Sequence, residues 1–188
     1  RIVLLAAVAD GLDGVIARKR GGTPAGPYLD SLADVASFGV APALLVASSA
    51  TGVWSLDARP VAYALSLLVP AVFVAMAVTR LGLYTAYDSD ASETEGVPTT
   101  LASTVLAAGV LAGFVGPAVL LALAGLLALL MVTRITYPDL HPQDALVMGV
   151  VQVLAVSLRG HLGAVFAFAL LFLSLAYLVL GPRFYWTG

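Results

Sequence analysis

The chain has 188 residues, of which 61% are hydrophobic and 11% charged, with a mean hydropathy of +1.01 and a formal net charge of -2. A charged fraction so far below the roughly one quarter of soluble domains excludes a soluble globular protein and indicates an integral membrane protein. The acidic balance offers no footprint for nucleic acid, and the absence of cysteine excludes disulfides and thiolate metal sites.

In chain order, the apolar run after Arg1 meets Asp10 and Asp13. It is shorter than the roughly 20 residues a spanning helix needs, although residues 1–18 together can continue one. The two carboxylates interrupt what would be the apolar region of a signal peptide. Arg18, Lys19, Arg20, Gly21, Gly22, Thr23 and Pro24 form a basic, breaker-rich turn. A second span covers about residues 27–49. Pro27 suits its first turn, and Pro42 should kink it, because proline removes a backbone donor and clashes with the preceding turn. Residues 52–60 read as a polar loop with Trp54 at headgroup level.

A third span covers residues 61–84, with Pro70 inside and Arg80 near its far end. Residues 85–96, with Asp88, Asp90, Glu93 and Glu95, read as a solvated loop. Two apolar runs follow, 97–115 and 117–133, divided by a Gly116-Pro117 turn, and each is long enough to span if nearly upright. After a loop at 134–142 come spans at 144–158 and 161–180. Tyr137 and Trp186 read as interface aromatics, and His141 and His161 as solvated side chains. The expectation is an all-α, polytopic transmembrane helix bundle of seven spans, with six as the alternative, forming one domain over residues 1–188.

If seven spans alternate, Arg18, Lys19, Arg20, Arg80, Arg134 and Arg183 fall on one side, with Arg59 and Arg159 on the other. The excess of positive charge predicts that the first side is cytoplasmic. Asp10, Asp13, Asp30 and Asp34 lie near that same side. Asp10 and Asp13 are three residues apart and Asp30 and Asp34 four apart, so on helices each pair projects from one face and the pairs can converge. Carboxylates converging in an apolar setting repel unless a cation sits between them, and clustered Asp oxygens suit hard divalent ions.

Asp10-Gly-Leu-Asp13-Gly14-Val-Ile-Ala17-Arg18, a spacer, and Gly26-Pro-Tyr-Leu-Asp30-Ser-Leu-Ala-Asp34 resemble the signature of the CDP-alcohol phosphotransferase family, with every fixed position filled. The resemblance implies transfer of a substituted phosphate from a CDP-activated lipid or alcohol to a hydroxyl, with release of CMP. It also implies a homodimer and a further helix upstream of residue 1. Residues 29–42 resemble the phosphatidylserine synthase branch of Gram-positive bacteria and archaea. So do Gly96-Val-Pro98-Thr-Thr100, where Thr100 replaces a usual proline, residues 129–134 with Tyr137-Pro138, and residues 177–182.

Within this frame Asp10, Asp13, Asp30 and Asp34 are expected to hold two divalent metal ions, Mg2+ or Mn2+, with Asp34 also the general base toward the acceptor. Gly14, Ala17 and Gly26 leave room for a flat cytidine and ribose, or serve helix packing. Arg18 pairs with the pyrophosphate, or anchors the membrane edge. The expected donor is a CDP-lipid, CDP-diacylglycerol or CDP-archaeol, and the expected acceptor is L-serine. Arg80 or Arg134 would take the serine carboxylate and Glu93 or Glu95 its ammonium, the alternative being that both arginines are topology anchors. Acceptors such as glycerol phosphate or inositol phosphate would demand a larger basic cluster than this chain supplies. A divalent-cation carrier built on the same carboxylates is the other functional class, but it has no need of Arg18 beside a nucleotide-sized gap.

Overall fold

The computed structural model describes residues 1–21, 23–88, 93–113, 115–138 and 141–184. Asp90 and Trp186 therefore lie outside the described residues, as do the side chains of Ala17, Arg18, Asp88 and Glu93. The described chain is a helix bundle: α1 (Ile2–Arg20), α2 (Gly26–Asp34), α3 (Ala41–Thr51), α4 (Pro60–Leu83), α5 (Thr99–Ala112), α6 (Pro117–Met131), α7 (Pro142–Ser157) and α8 (Gly160–Phe184). Each predicted span coincides with a helix or a pair of helices in line.

Three of these rods are long and apolar enough to cross a membrane: Gly26–Thr51, Pro60–Ala86 and Gly160–Arg183. They carry exposed apolar side chains such as Leu44, Leu68, Val72, Phe168 and Phe172, which water would penalise and lipid accommodates. α5, α6 and α7 are apolar but shorter, at 14, 15 and 16 residues. At 1.5 Å per residue α5 is about 21 Å long, less than the ~30 Å hydrocarbon core. The expected 97–115 helix is cut short at both ends. Pro98 sits at its N-cap, and Gly113, at φ 77°, ends it in the left-handed conformation that glycine adopts without strain.

α5 is the central helix. Residues 101–109 are all buried, and α5 packs against α1, α3, α4, α6 and α8. Its small residues, among them Ala102, Ser103, Ala107, Ala108 and Gly109, let the surrounding helices approach closely.

Pro42 acts one turn earlier than a simple kink. The turn before it, Val35–Val40, is π-helical, and the Ala41 N–H donates to the Ala36 carbonyl, five residues back. Pro42 has no N–H for the Phe38 carbonyl, and its ring needs the space that carbonyl would occupy, so the turn widens. The chain nevertheless runs on as one rod from Gly26 to Thr51. Pro70 leaves α4 unbroken.

Two loops gain structure that the sequence pattern does not announce. Glu93–Glu95 (β1) pairs antiparallel with Thr136–Pro138 (β2), in the register Glu93 with Pro138, Thr94 with Tyr137 and Glu95 with Thr136. Tyr137 is consequently no interface aromatic. It is buried, packs 6.2 Å from the Tyr177 ring, and donates its hydroxyl to the Leu178 carbonyl at 3.3 Å. Burial pushes its phenol above the ordinary range, so it remains a donor at neutral pH. The pairing also ties together the α4–α5 and α6–α7 connections, both predicted on one side of the membrane. At the other end Arg1 donates to the Val156 carbonyl near the end of α7. Between the two ends, the buried Gln152 Nε2 donates to the Leu4 carbonyl at 2.7 Å and fixes α1 against α7.

Candidate active site

At the end where β1 and β2 pair, α1 delivers Asp10, and α2 delivers Asp30 and Asp34 one turn apart. One carboxylate oxygen from each lies within 4.8 Å of those of the other two. The three are neither sealed nor free: Asp10 and Asp34 are half-buried and Asp30 is exposed. Three anionic oxygens at this separation repel one another, and hard oxygen donors converging from two helices match the ligand preference of a divalent ion. Asp13, the fourth predicted ligand, stands apart as an exposed residue of α1 outside this trio. Its charge nevertheless acts on Asp10 and Asp30.

The trio lines a cavity of about 280 Å3 together with Pro27, Ser31, Arg80, Leu81, Tyr84, Thr85 and the chain from Thr94 and Pro98 to Thr100. Ser31 and Thr85 hydroxyls meet at 2.6 Å, and Thr85 donates its proton to the Leu81 carbonyl at 2.9 Å. Each hydroxyl carries one proton, so Ser31 is the donor to Thr85. That bond clips α2, and with it Asp30 and Asp34, to the far end of α4.

Arg80 is 6% exposed. Its Nε donates to the Val97 carbonyl at 3.0 Å, one terminal nitrogen lies 3.5 Å from Thr94 Oγ1, and its guanidinium stacks 5.4 Å from the Tyr84 ring centre. It also attracts Asp34 electrostatically across the cavity. Arg134 is elsewhere, exposed on the rim of a second cavity of about 230 Å3 shared with Arg80, Tyr84 and Glu95. The structure thus brings Asp10, Asp30, Asp34 and Arg80 into one cavity and sets Arg134 in its neighbour.

Gly14 is half-buried in α1, and Gly26 opens α2, where a methyl group would meet Thr23 Oγ1 at 3.6 Å. Neither lines the first cavity. Ala17 and Arg18 fall on the last turn or so of α1, with their side chains outside the described residues. Tyr84, Thr85 and Thr94 carry no signal in the sequence, and Ser31, Thr99 and Thr100 stand out there only as members of segments that resemble the synthase branch. The first turn of α5 had a usable signal, since Pro98 before two threonines reads as a helix start. The Ser31–Thr85 contact spans 54 positions and had none.

The sequence profile of the CDP-alcohol phosphatidyltransferase family matches residues 1–133. The archaetidylserine synthase of Methanothermobacter thermautotrophicus is 31% identical over 147 residues, which are 77% of this chain and 59% of that protein. The chain therefore spans less than two thirds of the length of this curated relative. Because the profile runs through most of the chain and through the whole carboxylate trio, this protein belongs to the CDP-alcohol phosphatidyltransferase family.

Proposed function

We propose that the protein is a CDP-lipid serine O-phosphatidyltransferase, joining the phosphatidyl-type group of CDP-diacylglycerol or CDP-archaeol to the hydroxyl of L-serine and releasing CMP. The observation that carries this reading is the convergence of the Asp10, Asp30 and Asp34 oxygens in a cavity shared with Arg80 and the first turn of α5. The archaetidylserine synthase similarity supports serine as the acceptor.

The family generally uses divalent metals, and the donor set here fits them. Asp10, Asp30 and Asp34, joined by Asp13, would hold two ions, Mg2+ or Mn2+. When bound, such ions supply Lewis-acid charge at the donor's pyrophosphate. In the reaction, the serine hydroxyl oxygen bonds to the lipid-bearing phosphorus. The bond from that phosphorus to the bridging oxygen breaks, and CMP departs with that oxygen. Asp34 accepts the hydroxyl proton, and Arg80 lines the same cavity. The first N–H groups of α5 have no intrahelical acceptor, so that helix start is suited to phosphate oxygens. Gly14, Ala17, Arg18 and Gly26 form the nucleotide side, with Arg18 pairing the pyrophosphate. The site faces the cytoplasm of the cell membrane, where loop charge puts it, and the enzyme is a homodimer, as the family resemblance implies.

An acceptor panel tests this assignment. Purified protein in detergent with one CDP-lipid should release CMP with L-serine and not with glycerol phosphate or inositol phosphate. The reverse preference would overturn serine while leaving the family untouched.

A further inference from the structure

The second cavity lies outside the donor chemistry just described. Arg80 and Tyr84 form a wall common to both cavities. β1 borders both as well: side chains on a strand alternate in direction, and Thr94 lines the first cavity while Glu95 lines the second. Arg134 borders the second cavity just before β2, the strand that pairs with β1.

The charges of this cavity differ in commitment. Arg80 is engaged with Val97, Thr94 and Tyr84. Among the described residues neither Glu95 nor Arg134 has a side-chain hydrogen bond or ion pair, although both border one cavity. Glu95 is also held in place. Gly96 beside it has φ 77°, its N–H donates to the Ile135 carbonyl at 2.8 Å, and a β-carbon there would lie 2.1 Å from the Met131 carbonyl oxygen. At about 230 Å3 the cavity is below the ~300 Å3 at which pockets for drug-sized ligands begin, which suits a small solute.

Resting on the serine-transfer reading above, we infer that this second cavity is the acceptor subsite and that Glu95 is its specificity residue. Glu95 receives the acceptor's ammonium and Arg134 its carboxylate through paired hydrogen bonds. The acceptor's hydroxyl then points past the Arg80–Tyr84 wall toward Asp34. A phosphorylated alcohol brings a near-dianion against Glu95 and no ammonium to offset it, so the same carboxylate that binds an amino acid rejects a sugar or glycerol phosphate. Arg80 supports the wall and is not the carboxylate ligand.

The test is a comparison of wild type with Glu95→Gln and Glu95→Asp in detergent, with CDP-diacylglycerol as donor. L-Serine KM and kcat, the donor KM, and inhibition by 3-hydroxypropionate, which has serine's carboxylate and hydroxyl but no ammonium, are measured together. Glu95→Gln should raise the serine KM by about ten- to a hundredfold, the range for a lost charge-assisted hydrogen bond. The Ki of 3-hydroxypropionate should stay level or fall, the donor KM should hold, and Glu95→Asp should recover part of the serine affinity. A serine KM in Glu95→Gln within twofold of wild type, or a parallel rise in the 3-hydroxypropionate Ki, overturns the role of Glu95 while serine transfer stands. A wild type that ignores serine and uses glycerol phosphate overturns the serine reading itself, a separate outcome.

Discussion

Arg80 and Arg134 carry the same charge, one in the last turn of an apolar helix and one just past the end of another, yet their surroundings differ. Arg80 is buried and tied to the Val97 carbonyl, so it joins α4 to the entrance of α5. Removing it strands a buried acceptor, a loss of about 1–3 kcal/mol. Arg80→Met should therefore lower the unfolding midpoint in detergent, whereas Arg134→Met should leave the midpoint in place and weaken acceptor binding. Equal thermal losses in the two variants would erase the distinction. From sequence the arginines were interchangeable, because burial depends on which loop folds over them. The convergence of Asp30 and Asp34 was legible, since a spacing of four places them on one helix face, whereas the spacing of three did not bring Asp13 into the trio with Asp10. Ser31 and Thr85 were not legible, because neither has meaning until α2 docks on α4.

The helices were readable to within a few residues from apolar runs and proline punctuation, and the departures have local causes. The π-turn at Val35–Val40 follows from Pro42, and the early stop of α5 from Gly113. The β1–β2 pair leaves no pattern in the sequence because its strands are three residues long, one contains two glutamates, and the partners are about forty positions apart. Such a ribbon takes its stability from what anchors it, here Gly96 against the end of α6 and the buried Tyr137. Gly96→Ala must adopt a strained φ and displace the Met131 carbonyl, costing about 1–3 kcal/mol. Because the displacement moves Glu95, it should also raise the acceptor KM more than the donor KM. Gly82→Ala is the control: it sits on α4 with open space where a methyl would go, and should be no worse than neutral. Similar losses in both variants would show that the ribbon is not specially anchored.

Across the whole molecule, the loops predicted on one side converge and the carboxylates lie among them, with α5 buried at the centre of the bundle. This arrangement gives the proposed orientation a direct check. The chain has no cysteine, so one introduced at position 21 should react with a membrane-impermeant thiol reagent only from the cytoplasmic face, and one at position 55 only from outside. Labelling of both from the same face would overturn the sidedness. The central claim, however, is metal-dependent transfer at the aspartate trio. Purified protein supplied with CDP-diacylglycerol and radiolabelled L-serine should release one CMP for each serine that enters lipid. That turnover should stop in excess EDTA, return with Mg2+ or Mn2+, and be absent in Asp34→Asn protein that still elutes and melts as a folded species. Full turnover in excess EDTA, or in Asp34→Asn, would contradict the account.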